Sequence, residues 1–323
     1  MTMTSRERVE RAIRFEKPDR APYNFWMDRR RMAELESTFG PEFRVTHFGV
    51  DVIESYGCVP AFPTGEFKAQ AGTHWMVKEL FEDWRDAASI PMPPLDYTVL
   101  FAGLEAHLEQ FPDHAVIVNS PNVLTLIEAM RKQEQVYVDM MLYPDAVQAF
   151  FHRISDIMAV VAERACTYDI TALYVQDDVA YNNGLFISPD LLREYILPHW
   201  KKVIDIGHAH NVPIFFHTDG KVDTLWPLFR DELGVRMLNP LQPELHDFDA
   251  FKRTNHGEMG VYGGLATNRI HEMTPEEVEA HVQHVFAQLG ADGGLILSSH
   301  DIDYAVSVEQ LTALSRAVAA CVY

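Results

Sequence analysis

Between positions 172 and 244 the chain repeats one arrangement three times: a short, mostly apolar run that stops abruptly in polar residues. The runs are LYV at 173–175, VPIFF at 212–216 and VRML at 235–238. They lack polar alternation, so each reads as a strand buried on both faces, the habit of a parallel sheet. Their polar ends are Gln176-Asp177-Asp178, His217-Thr218-Asp219-Gly220 and Asn239-Pro240-Leu241-Gln242-Pro243. Helical stretches lie between them, one opened by the cap and N1 proline Ser188-Pro189, the other by Asp223-Thr224. Strand, helix and strand again, with polar residues collected at strand C-termini, is the pattern of a barrel whose chemistry sits on that edge.

The rest of the chain extends the count. Apolar runs predict strands near 21–26, 48–54, 115–119, 259–263 and 294–298, which with 172–177, 212–217 and 235–239 make eight. The expectation is an α/β fold, one (β/α)8 barrel occupying 1–323. An amphipathic helix capped by Ser5 precedes the first strand, with Val9, Ile13 and Phe15 on its apolar side. Residues 73–80 read as a β-hairpin arm outside the barrel. Two long helices are expected over 123–142 and 144–167, separated at Tyr143-Pro144. Paired glycines at the end of the seventh strand suit close approach of a ligand.

Composition narrows the function. Hydrophobic residues make up 47% of 323, enough for a full core. Net charge is 27 − 47 = −20, which excludes nucleic acid and anionic membrane as natural partners. Cys58, Cys166 and Cys321 are far apart and form no CxxC pair, so buried free thiols in a reducing, cytoplasmic setting are expected. The first residues are charged, and no window approaches the roughly 20 apolar residues of a membrane span.

Ten polar residues fall at strand ends: Asn24, Asn119, Gln176, Asp177, Asp178, His217, Asp219, Asn239, Gln242 and His300. His217 and Asp219, two apart on one strand, point to the same side. With His300 they form a candidate divalent-metal site of two imidazoles and a carboxylate, zinc being the first choice. A hydrogen-bonded acid–base cluster is the alternative. Asp178, His217, Asp219 and His300 are the catalytic candidates; Asn24, Asn119, Gln176, Asp177, Asn239 and Gln242 are the candidate substrate contacts. One carboxylate of the Asp177-Asp178 pair is expected to turn away from the pocket and satisfy backbone. Arg29, Arg30 and Arg31 offer an anion site or, more simply, an exposed basic turn.

Three ordered motifs carry a resemblance: DD at 177–178 followed by G-L-x-I-S-P at 184–189, H-x-x-x-x-P-x-x-x-H-x-D-G at 208–220, and G-V-x-x-L-N-P-L-Q-P at 234–243. The opening R-E-R-V-x-x-A-I at 6–13 and P-D-R-x-P at 18–22 agree with them. The chain resembles the uroporphyrinogen decarboxylase superfamily, which joins haem-pathway decarboxylases to corrinoid- or folate-linked methyltransferases and demethylases. The resemblance implies an enzyme on a barrel. The decarboxylases' Arg-Gln-Ala-Gly-Arg-type motif is replaced by Met27-Asp28-Arg29-Arg30-Arg31. The methyltransferases' zinc-binding His-x-Cys is here His217-x-Asp219, and Ser298 and Ser299 stand near their second cysteine. His300 matches the decarboxylases' active-site histidine, with Ser299 in place of its glycine.

These departures favour demethylation or methyl transfer from an O- or N-methylated small molecule. The acceptor is expected to be a corrinoid protein, or tetrahydrofolate, because the chain has no Asp-x-His-x-x-Gly cobalamin motif. A homodimer is a further expected assembly. The alternatives are decarboxylation of a pyrrole or another carboxylate, needing no cofactor, and a non-catalytic ligand-binding barrel.

Overall fold

The structure, a computed structural model, describes residues 3–70, 73–266 and 269–323, without the side chains at 69, 70, 73, 74, 300 and 301. Eight parallel strands follow the apolar runs: β1 (Tyr23–Met27), β2 (Val52–Ser55), β3 (Ala115–Pro121), β4 (Ala172–Gln176), β5 (Ile214–His217), β6 (Met237–Asn239), β7 (Gly260–Gly264) and β8 (Leu295–Ile302). Ladders join β2 to β3, then β4, β5, β6, β7 and β8, and β8 to β1. With helices surrounding them, they form a nearly closed (β/α)8 barrel. Between β1 and β2 there is no ladder among the described residues; Asp51 N–H donates to the Tyr23 carbonyl at 2.9 Å, Tyr23 N–H to Asp51 Oδ2 at 3.0 Å and Asn24 Nδ2 to Glu54 Oε1 at 2.9 Å.

The two-residue period of a strand sorts side chains into two layers. Ala115, Ile117, Ala172, Tyr174, Phe215, Met237, Tyr262 and Ile296 pack into the barrel interior. Helix Ser5–Ile13 closes the lower end by adding Val9, Ala12 and Ile13 to that cluster. Its cap is Thr4 rather than Ser5: the Thr4 hydroxyl accepts from Glu7 N–H, and the Glu7 carboxylate accepts from Thr4 N–H. One step further along each strand the inward positions become Asn24, Glu54, Asn119, Gln176, His217, Asn239 and Ser298. The barrel therefore changes from apolar filling to a polar mouth within one residue pair per strand.

Several local expectations are corrected. The helix expected over 123–142 is two, Val123–Ile127 and Gln133–Leu142, so Glu128 sits in the break. The helical stretch expected from Asp223 is present but irregular, tightly wound at Asp223–Leu225 and widely wound at Leu228–Glu232. The paired glycines of β7 make room for protein, not ligand: a Cβ on Gly263 would lie 1.6 Å from the Pro240 carbonyl oxygen, and one on Gly264 would lie 2.9 Å from the Val285 side chain. Glu66–Gln70 and Thr73–Lys78 form the expected antiparallel hairpin. The three cysteines are free and buried, and burial pushes the Cys58 and Cys166 thiols up to about 12. No helix among the described residues is long and apolar enough to cross a membrane.

Candidate active site at the barrel mouth

His217 ends β5, and its ring is fixed from behind. Its Nδ1 lies 2.6 Å from Asn239 Oδ1, on the neighbouring strand. Asn239 cannot turn its amide group over, because its Nδ2 donates to the Tyr262 carbonyl and its Oδ1 also accepts from the Tyr174 hydroxyl. The oxygen is an acceptor, so Nδ1 carries the proton and the Nε2 lone pair of a neutral ring faces the mouth. There Nε2 meets Asp178 Oδ1 at 3.7 Å and Asp219 Oδ2 at 3.9 Å. Burial, the largest influence, disfavours the imidazolium, but Asp178 and Asp219 outweigh it and the pKa is raised.

The loop beyond β5 holds the carboxylates in place. Asp219 N–H donates to Asp178 Oδ1 at 2.8 Å, and Gly220 N–H to Gln242 Oε1 at 2.9 Å. Gly220 has φ +87°, and a Cβ there would lie 2.6 Å from the Ala180 carbonyl carbon, so only glycine lets these loops touch.

A ligand atom from each of Asp178, His217 and Asp219 lies within 4.8 Å of the others. One imidazole nitrogen and two carboxylate oxygens fit a hard or borderline divalent ion, zinc included, rather than a soft thiolate site. The half-exposed carboxylates need only small rotations to reach bonding distance. Asp178 is therefore the third member that the sequence reading had placed only among the catalytic residues. His300 lies on β8, but its side chain falls outside the described residues.

The expected substrate contacts divide. Asp177 points away from the mouth: fully buried, it accepts from Thr125 N–H at 2.7 Å and Trp200 Nε1–H at 2.8 Å. Burial is the main influence on it and pushes its pKa up to about 7, against those two donors. Asn239 holds His217, and Gln242 holds the Gly220 loop. Asn119 accepts from the Gln176 amide at the mouth. Asn24 Nδ2 donates to Glu54 Oε1 at 2.9 Å and to the Tyr262 hydroxyl at 2.5 Å.

Comparison with known proteins agrees with this fold. The family model for uroporphyrinogen decarboxylase matches residues 73–321, most of the chain. The chain belongs to the uroporphyrinogen decarboxylase family. No curated protein matches its sequence. Among solved structures, a methyltransferase from Methanosarcina mazei superposes with a TM-score of 0.73 at 13% identity, covering 98% of this chain and 99% of that one. A putative vitamin-B12 independent methionine synthase from Listeria monocytogenes gives 0.51 at 11% identity, covering 94% and 95%. At such identities the likeness is one of fold.

Within this family barrel, three functional candidates escaped the sequence reading. Glu54 is the last inward residue of β2, so the same strand-end rule points to it; its Oε2 accepts from the Tyr56 hydroxyl at 2.5 Å. Glu128, in the helix break, accepts from Gln133; burial, then Asp178 and Asp177, push its carboxyl up to about 8. Arg44 comes from the one-turn helix Phe43–Thr46, outside the barrel, and no strand-end rule finds it. Its guanidinium stacks 4.5 Å over Trp26 and donates to Asn24. Burial lowers its pKa while Glu54 opposes that shift. Arg30 and Arg31 are instead taken up by Asp28 and Glu34 at the surface.

Proposed function

We propose that this protein is a methyltransferase that demethylates an O- or N-methylated small molecule, with a corrinoid protein or tetrahydrofolate as acceptor. The observation that carries the reading is the convergence of Asp178, His217 and Asp219, with the imidazole proton held on Nδ1. Methyl transfer breaks a carbon–oxygen or carbon–nitrogen bond whose electron pair stays on the heteroatom. Asp178, His217 and Asp219 would hold a divalent ion, zinc first, which when bound supplies Lewis acidity to that heteroatom. Glu128, whose carboxyl burial and the charges of Asp178 and Asp177 push up to about 8, would give the leaving heteroatom its proton. Tyr174 and Asn239 keep His217 Nε2 aimed into the mouth, where the ion would be held.

Family membership is compatible with decarboxylation as well, and Arg44 at the mouth favours a carboxylate-bearing ligand. An octacarboxylate porphyrinogen, however, needs several cations, because each buried carboxylate left unpaired costs several kcal/mol. The deciding assay runs two mixtures: methylated aromatics or amines with reduced corrinoid, and uroporphyrinogen alone. Cobalt methylation, followed by absorbance, is the expected result. Efficient release of CO2 with no cobalt methylation would replace this function by the decarboxylase one.

A further inference from the structure

Three nitrogen donors around the mouth are buried with no hydrogen-bond partner: Trp26 Nε1, Arg44 Nε and Asn119 Nδ2. Indole and guanidinium are donor-only groups, and the Asn119 oxygen is already used by Gln176. One chain of contacts links them. Arg44 lies on Trp26 at 4.5 Å, and Trp26 packs edge-on to Tyr56 with ring centroids 5.2 Å apart. Tyr56 bonds both Glu54 and Gln176, and Gln176 holds Asn119. Glu54 offsets part of the Arg44 charge, but it accepts from none of these three donors, its oxygens being taken by Asn24, Tyr262 and Tyr56. Buried donors without acceptors are uncommon in folded proteins and mark places where a ligand's oxygens belong.

We infer that Arg44, Trp26 and Asn119 form an anion subsite that takes the carboxylate of the substrate. The subsite shares the polar layer with the metal-capable cluster. Arg44 reaches Asn24, Asn24 bonds the Tyr262 hydroxyl, and the Tyr262 ring packs 5.8 Å from Tyr174, whose hydroxyl shares Asn239 with His217. A small molecule spanning the two places its carboxylate on Arg44 and its methylated heteroatom on Asp178, His217 and Asp219. Resting on the methyl-transfer reading, the substrate class is then a methylated carboxylic acid: a methoxy-aromatic acid or an N-methylated amino acid.

The test is calorimetric titration of the zinc-loaded full chain with 3-methoxybenzoate and N-methylglycine, each against its primary amide. At least one acid should bind roughly tenfold or more tighter than its amide, the contribution of a charge-assisted pair. Arg44→Met should reduce that preference to about threefold or less, and Trp26→Phe and Asn119→Ala should each weaken it. If Arg44→Met does not fold, the latter two variants decide. Equal binding of acids and amides, no binding of either acid, or a preference that survives all the substitutions would overturn the subsite. Acid-selective binding without methyl transfer supports the subsite and removes the proposed reaction. Methyl transfer from neutral donors alone, with no acid preference, supports the reaction and overturns the subsite.

Discussion

At the scale of single residues, Asn239 does more than any charged group to define the site, because it decides which imidazole nitrogen of His217 faces the mouth. Asn239→Leu leaves His217 Nδ1 and the Tyr174 hydroxyl without their shared acceptor. Zinc affinity should then fall roughly 10–100-fold, measured by chelator competition; an unchanged affinity would mean that the ring is oriented some other way. His217→Ala should remove activity with a melting temperature close to that of the wild type, since residues at this face contribute little to the core. Glu128 makes a separate claim. Its raised pKa means the acid form is lost as pH rises through about 8, so the rate should fall along that limb. Glu128→Gln should be slower and lack the limb; a variant that keeps it would clear Glu128 of the proton-donor role.

At the scale of elements, helix Pro144–Ala165 packs on helix Leu197–Ala209 through a histidine that the fold keeps neutral. His199 Nδ1 lies 2.9 Å from Ser155 Oγ, and burial, with His152 and Lys202, lowers its pKa to about 4. Between about 4 and the ordinary 6.5 the unfolded chain takes up a proton that the folded chain refuses. Stability should therefore decline as pH falls across that window, by at most about 3 kcal/mol. Denaturant titrations at pH 7 and pH 5 would measure it, and His199→Gln should flatten the difference. The strands were legible because a parallel strand buried on both faces leaves an uninterrupted apolar run, and the polar edge because the inward period of two ends most of these runs in Asn, Gln or His. What stayed hidden depends on distance in space. Asp177 and Asp178 are neighbours in sequence, but Trp200 and Thr125 claim one while the other faces the mouth. Arg44 arrives from outside the barrel, and Glu128 occupies a helix break that periodicity ran straight through.

At the scale of the whole molecule, seven ladders and one boundary held mainly by side chains describe the barrel wall. Arg44 lies along the β1 side of that boundary. It touches Phe25, on the outer face of β1, and bonds Asn24, on the inner face, so its side chain passes the strand edge. A cylinder fastened all round has a fixed girth, because widening it means breaking main-chain hydrogen bonds. This one is a clip with a slot, and along the slot lies a side chain whose tip belongs to the proposed ligand site. Occupying that tip should hold the clip shut. Amides of β1 and β2 that border the slot should exchange with deuterium faster than those of β4 and β5, and should slow when the mouth is filled; uniform exchange around the wall would show that the slot does not open. The bore of such a barrel is set partly by its cargo.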